Sequence, residues 1–133
     1  MDGIIEQLKK IGSLNTFIGL IEKAEVEDKL NEEGPFTVFA PNDEAFGELP
    51  ESTVNELATN SKGLEEIINY HVVSGEFSKK DLESIPILET LQGESLLVES
   101  ENGNITINDA ALLKSDIEYS GGILHLIDSV LMP

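Results

Sequence analysis

Phe36-Thr37-Val38-Phe39-Ala40-Pro41-Asn42-Asp43-Glu44-Ala45-Phe46 packs a strand, its stop and a helix start into one stretch. The β-branched and aromatic content of residues 36–40 marks a buried strand. Pro41 ends it, because proline lacks the donor a ladder needs and pushes Ala40 toward an extended conformation. Asn42 or Asp43 then caps a short helical turn over 44–47. On the N-terminal side the spacing predicts two helices. Asp2 caps the first, which carries Ile4, Ile5, Leu8 and Ile11 and stops at Gly12. Ser13 caps the second, with Leu14, Phe17, Ile18 and Ile21 at helical intervals. A short acidic segment over 26–30 follows and closes at Gly34-Pro35.

On the C-terminal side helix signals return over 51–60 and 63–71. The second of these puts Leu64, Ile67, Ile68 and His71 on one apolar stripe. Ser78 with Asp81 resembles a capping box ahead of a short helix over 79–83. Beyond residue 84 the period changes to two, and 86–91, 95–100, 104–108 and 110–119 read as strands. Asn102-Gly103 is a strong hairpin signal, since both central positions of a type I′ turn need positive φ. Ser120-Gly121-Gly122 turns the chain into a last strand over 123–132. That strand is apolar on both faces, with Ile123, Ile127 and Leu131 on one and Leu124, Leu126 and Val130 on the other. Two apolar faces place it centrally, between layers. No internal repeat, low-complexity tract or linker interrupts the pattern. The chain of 133 residues therefore reads as a single α+β domain spanning 1–133, long enough to bury about two thirds of its surface.

Charge narrows the function. There are 26 acidic residues against 8 basic ones, all lysine, for a net charge of −18. Nucleic-acid binding needs a basic stripe, and a polybasic membrane anchor needs the same; neither is present. With no arginine there is no Arg-Gly-Asp tripeptide and no bidentate phosphate clamp. With no cysteine there is no disulfide, thiolate zinc site or cysteine nucleophile. No basic-then-apolar leader and no apolar run of about 20 residues is visible, so membrane insertion by this chain is not expected.

Three segments resemble the fasciclin (FAS1) domain family. Residues 37–46, quoted above, match its first box; Asn69-Tyr70-His71-Val72-Val73 matches its central Tyr-His motif; Gly121-Gly122-Ile123-Leu124-His125-Leu126-Ile127-Asp128-Ser129-Val130-Leu131-Met132-Pro133 matches its second box. The resemblance covers essentially the whole chain. It implies a wedge of two packed β-sheets flanked by several α-helices, with structural roles for Thr37, Phe39, Pro41, Asn42, Asp43, Phe46, His125 and Asp128. It also implies a secreted or cell-surface module without general catalytic activity, which adheres to a cell-surface or matrix protein or a glycan. One departure is visible: Gly121-Gly122 stands where family members usually carry Asn-Gly, and glycine should supply the same positive-φ turn.

Each candidate residue carries two readings. The family's Tyr-His motif has been linked to integrin-type recognition, which would make Tyr70 and His71 contacts. On its apolar stripe, however, His71 also reads as a buried histidine bonded to backbone, which acid would destabilise. Asp116-Ile117 falls where animal fasciclin domains carry an adhesion motif built around Asp-Ile, and a carboxylate suits a receptor metal site. Its neighbours Lys114, Ser115 and Glu118 do not match those motifs, and Ile117 reads equally as core with Asp116 supporting the strand. His125, Asp128 and Ser129 resemble hydrolase parts, but an extended strand points His125 and Asp128 to opposite faces, and no Gly-x-Ser-x-Gly elbow exists. No metal-binding spacing and no cofactor motif appears. Asn104-Ile105-Thr106 is a sequon beside a hairpin turn. The functional expectation is a non-enzymatic adhesion module. The alternative is a carrier holding an apolar small molecule between helices and sheet.

Overall fold

The computed structural model describes residues 2–131; Met1 and the closing Met132-Pro133 of the last box lie outside the described residues. Amphipathic segments build α1 (Ile4–Ile11), α2 (Asn15–Ala24) and α3 (Glu27–Glu32), followed by β1 (Phe36–Pro41) and α4 (Asp43–Gly47). Next come α5 (Glu51–Thr59), α6 (Ser61–Tyr70), β2 (Val72–Ser74) and α7 (Lys79–Leu82). The remainder is strand: β3 (Ile87–Glu89), β4 (Ser95–Glu101), β5 (Asn104–Ile107), β6 (Ala110–Tyr119) and β7 (Gly122–Ile127). This is the α+β architecture read from the periodicity. Asn102 and Gly103 both hold positive φ, as the type I′ hairpin demands.

The two expected layers are halves of one folded sheet. Its order is β2-β1-β7-β6-β5-β4-β3, with β1 and β7 parallel and the other neighbours antiparallel. Register shifts between Leu112 and Lys114 and between Lys114 and Ile117 bend β6. The bend carries β5, β4 and β3 back across the first half. Val73 bridges Thr90, and the Leu91 amide donates to the Val72 carbonyl at 2.9 Å, so the two outer strands nearly close the sheet into a barrel.

β1 and β7 sit between two cores. Val38, Leu124 and Leu126 join Phe17, Phe46 and Leu64 under the helices. Phe39 and Ile127 face the other way, into a cluster with Leu88, Leu96, Val98 and Ile107 inside the folded sheet. Each such side chain contributes about 1.5–3 kcal/mol on burial, which is why both strands read as continuously apolar.

Several local expectations change because partners distant in sequence supply the bonds. Gly3, not Asp2, precedes α1; the Ile4 amide is capped by Asn31 at 2.8 Å, and Asp2 pairs with Lys10. Ser13 does not cap α2. The Asp43 carboxylate reaches across to the Asn15 and Thr16 amides instead, at 3.4 and 2.8 Å. Asn42 caps α4 through the Ala45 amide at 2.8 Å. Pro41 is the last residue of β1 rather than a stop beyond it, where its missing donor costs least. β7 is shorter than expected, ending at Ile127 where its partner Pro41 runs out. β2 was not anticipated, because three residues are too few to show a period.

The two glycines where β7 begins serve different needs. Gly122 takes φ +150, whereas Gly121, which stands at the family's asparagine position, is not among the positive-φ glycines and does not supply the turn expected of it. Gly121 is required by space: a Cβ there would lie 1.8 Å from the Leu30 carbonyl oxygen. An asparagine in its place would meet the same obstruction.

Candidate functional site

Thr37 of the first box and His125 of the last converge on the segment between β2 and α7. Thr37, fully buried on β1, donates its hydroxyl to the Gly75 carbonyl at 2.7 Å and accepts from the Phe77 amide at 2.8 Å. His125 lies beside Phe39 in the parallel register, with the rings stacked 5.7 Å apart. Its Nδ1 accepts from the Asp116 amide at 3.2 Å, so the proton sits on Nε2, which donates to the Phe77 carbonyl at 2.7 Å. Burial holds the His125 pKa below the ordinary imidazole value, against the pull of the Phe77 carbonyl and Asp116. Asp116 itself adopts φ +60 at the bulge in β6, and its exposed carboxylate accepts from the Lys79 amide at 2.8 Å. The Ser78–Asp81 capping box completes the start of α7.

A second fastener lies at the end of α6. His71 is 1% exposed; its Nδ1 donates to the Ile67 carbonyl at 2.8 Å and its Nε2 accepts from the Leu131 amide at 2.9 Å. Burial lowers its pKa to about 4, only partly offset by the Ile67 carbonyl. Tyr70 is also buried, and its hydroxyl accepts from the Asn108 side chain at 2.9 Å. Asn108 in turn accepts from the Leu97 amide at 2.7 Å. The Tyr-His pair therefore ties the C-terminal segment and the β4–β5 hairpin to the helical layer. With Tyr70 5% and His71 1% exposed, a direct contact through their rings would require this region to open.

The remaining candidates separate in space. Asp128 accepts from the Ala111 amide at 2.8 Å while His125 is occupied by Phe77, so no His–Asp bond exists. Ile117 is half-buried against the helical core, leaving Asp116 as the exposed member of its pair. Asn104 is exposed beside the hairpin turn. Among the described residues no group of three or more His, Asp or Glu side chains is arranged to hold a metal ion. No helix is long and apolar enough to cross a membrane among the described residues.

Sequence reading missed an apolar cleft of about 550 Å³, open to solvent between β2 and β3. Val73, Phe77, Ile85, Ile87 and Leu88 line it, with Glu89 at its edge. A second hollow of about 450 Å³ shares Phe77 and Ile85 and is bordered by Glu76, Lys80 and Asp81. The available signal was the apolar run Leu96-Leu97-Val98. Strict alternation assigns its middle residue to solvent, and Leu97 is indeed 49% exposed, opposite Ile87 at 58%.

The Fasciclin domain model matches residues 12–133. The protein sll1735 of Synechocystis sp. is 34% identical over 132 residues, covering 99% of this chain and 98% of its own. The transforming growth factor-beta-induced protein ig-h3 of Sus scrofa is 35% identical over the whole of this chain, which spans 20% of that protein. Among solved structures, the FAS1 domain pair of the insect cell adhesion molecule fasciclin I superposes with a TM-score of 0.72 at 22% identity, over 92% of this chain and 46% of that one. The chain belongs to the fasciclin domain family.

Proposed function

We propose that this chain is a non-enzymatic adhesion module, presented outside the cell or at its surface, that holds a cell-surface or matrix protein or a glycan. The observation that supports this most is how the boxes spend their polar groups. Thr37, His71, His125, Asp43 and Asp128 all bond within the chain, so the reactive side chains act as fasteners. A pinned framework with an acidic surface suits holding a partner better than turning over a substrate. Within this reading Asp116 and Ile117 form one contact, with the carboxylate held outward at the bulge. Tyr70 and His71 act from inside as positioning residues.

The test is retention of cells on the immobilised full chain, with soluble chain as competitor. Retention that the competitor abolishes supports the module; retention no better than on an inert coat overturns it. Asp116→Asn keeps the capping geometry and removes the charge. Adhesion should fall while the unfolding midpoint holds, and the reverse pattern assigns Asp116 to the fold alone. The carrier reading draws on the open apolar cleft, which lies between strands rather than between helices and sheet. An apolar molecule co-purifying in native mass spectrometry would favour it.

A further inference from the structure

We propose that the cleft between β2 and β3 receives an extended segment of a partner protein as an added strand, apolar at alternate positions and basic between them. This rests on the interaction-module reading and names the chemistry of its partner. The first argument is backbone parity. β3 pairs with β4 as Ile87↔Leu97, Leu88↔Leu96 and Glu89↔Ser95. The bonds Val98 N–H to Pro86 carbonyl (2.8 Å) and Thr90 N–H to Glu94 carbonyl (3.0 Å) bracket that ladder. Antiparallel pairs alternate between bonded and non-bonded, so Pro86, Leu88 and Thr90 spend their groups on β4. Ile87 and Glu89 turn theirs the other way, toward the cleft.

β2 does not satisfy them along their length. It meets the far side at the Val73–Thr90 bridge and the Leu91–Val72 bond, a pairing that turns Glu89 toward Ser74 and stops short of Ile87; Gly75, at φ +99 and bonded through its amide to Pro35, then leads the chain away. The strands diverge from a closed point and leave a slot with an unpaired edge. Edges of this kind are usually protected by lysine, proline or a covering element. Here Pro86 only precedes the edge, and Ile87 stands exposed.

The lining gives the side-chain requirement. A strand laid in the slot would turn alternate side chains inward toward Phe77, Ile85 and Leu88, and the others outward beside Ile87 and Leu97. Glu76, Asp81 and Glu89 border the cleft and its neighbouring hollow against Lys80 alone. On a chain of net charge −18 that border favours a basic segment and opposes a second copy of this chain. Main-chain bonds supply affinity in this mode and the alternating pockets supply selectivity.

The experiment uses the full chain and a labelled peptide alternating lysine and valine, with a glutamate–valine peptide and an N-methylated lysine–valine peptide as comparisons. Fluorescence anisotropy should show saturable binding of the first only. Amide exchange by NMR should slow at Ile87 and not at Leu88. Ile87→Glu, at an exposed position that leaves folding intact, should weaken binding by about tenfold. Equal binding of the N-methylated peptide, equal binding of the acidic peptide, absence of binding, or a self-associated dimer occupying the edge would each overturn the proposal. Cell retention by the Ile87→Glu chain separates the two readings: if retention persists while the peptide results fail, the module stands without this cleft; if the unsubstituted chain retains no cells, the module itself falls.

Discussion

Lowering the pH from about 7 to about 5 should destabilise the fold by about 2 kcal/mol through His71 alone, and the sign follows from its surroundings. In the folded chain the ring is enclosed, with Nε2 accepting from Leu131 and Nδ1 donating to Ile67. A second proton would set an N–H against the Leu131 amide and place a charge among Phe17 and the helical core. Its folded pKa is accordingly about 4, against 6.5 for a free imidazole. Between those values the unfolded chain binds the proton and the folded chain does not. Stability is thus fully present above about pH 6.5 and declines as pH falls toward 4, where the loss from this group levels off near 3 kcal/mol. His125, whose pKa burial also lowers, adds loss of the same sign. Urea unfolding at several pH values, compared between the natural chain and His71→Gln, isolates the effect. The natural chain should lose stability more steeply through this window than the variant. Parallel slopes, or an NMR titration placing His71 near 6.5 in the folded chain, would refute the reasoning.

Salt should act in the opposite sense. Among the described residues the ion pair within 4.0 Å is Lys10–Asp2, so the charge of −18 is largely uncompensated repulsion. Raising ionic strength to about 0.15 M should therefore raise the melting midpoint, by about 2–8 °C per kcal/mol regained; a flat midpoint across that range contradicts it. Gly121→Ala should cost about 1–3 kcal/mol or more in urea unfolding, because its Cβ meets the Leu30 carbonyl. Gly19→Ala, inside α2 with open space around it, should instead stabilise by about 0.5–1 kcal/mol. Thr37→Val leaves the Gly75 carbonyl and Phe77 amide without their shared hydroxyl. It should cost about 1–3 kcal/mol and speed exchange at the Phe77 amide, whereas unchanged exchange would mean the segment is held otherwise.

Most of the element order was legible because hydrophobic period survives in local sequence. The change from helical spacing to alternation after residue 84 located most of the sheet, and the doubly apolar 123–132 segment, of which residues up to Ile127 form β7, located its centre between two cores. Caps were less legible. Asp2 and Ser13 are good local candidates, yet Asn31 and Asp43 do that work from other elements, and nothing in a window of sequence marks a bond spanning 27 positions. The candidate site divides the same way. The stripe around His71 revealed its burial, but its acceptor role toward Leu131 depends on how the C-terminal segment returns to α6. The cleft was invisible for a stronger reason: it is the gap where two strands far apart in the chain meet at one bridge and then part.

That division bears on where recognition can reside. Thr37 and His125 grip the same segment from adjacent strands: Thr37 holds Gly75 and Phe77, and His125 holds Phe77 and Asp116. Loosening any one frees a wall of the cleft, since Phe77 lines it. A motif substitution could therefore abolish partner binding without the motif ever touching the partner. Loss of adhesion in a Thr37 or His71 variant is evidence about contact only when the variant's folding midpoint has been measured alongside it. Exposed positions such as Ile87 and Asp116 do not carry that ambiguity to the same degree, because their side chains reach solvent in the folded chain. Recognition in this domain is best sought on the surface the fasteners hold in place.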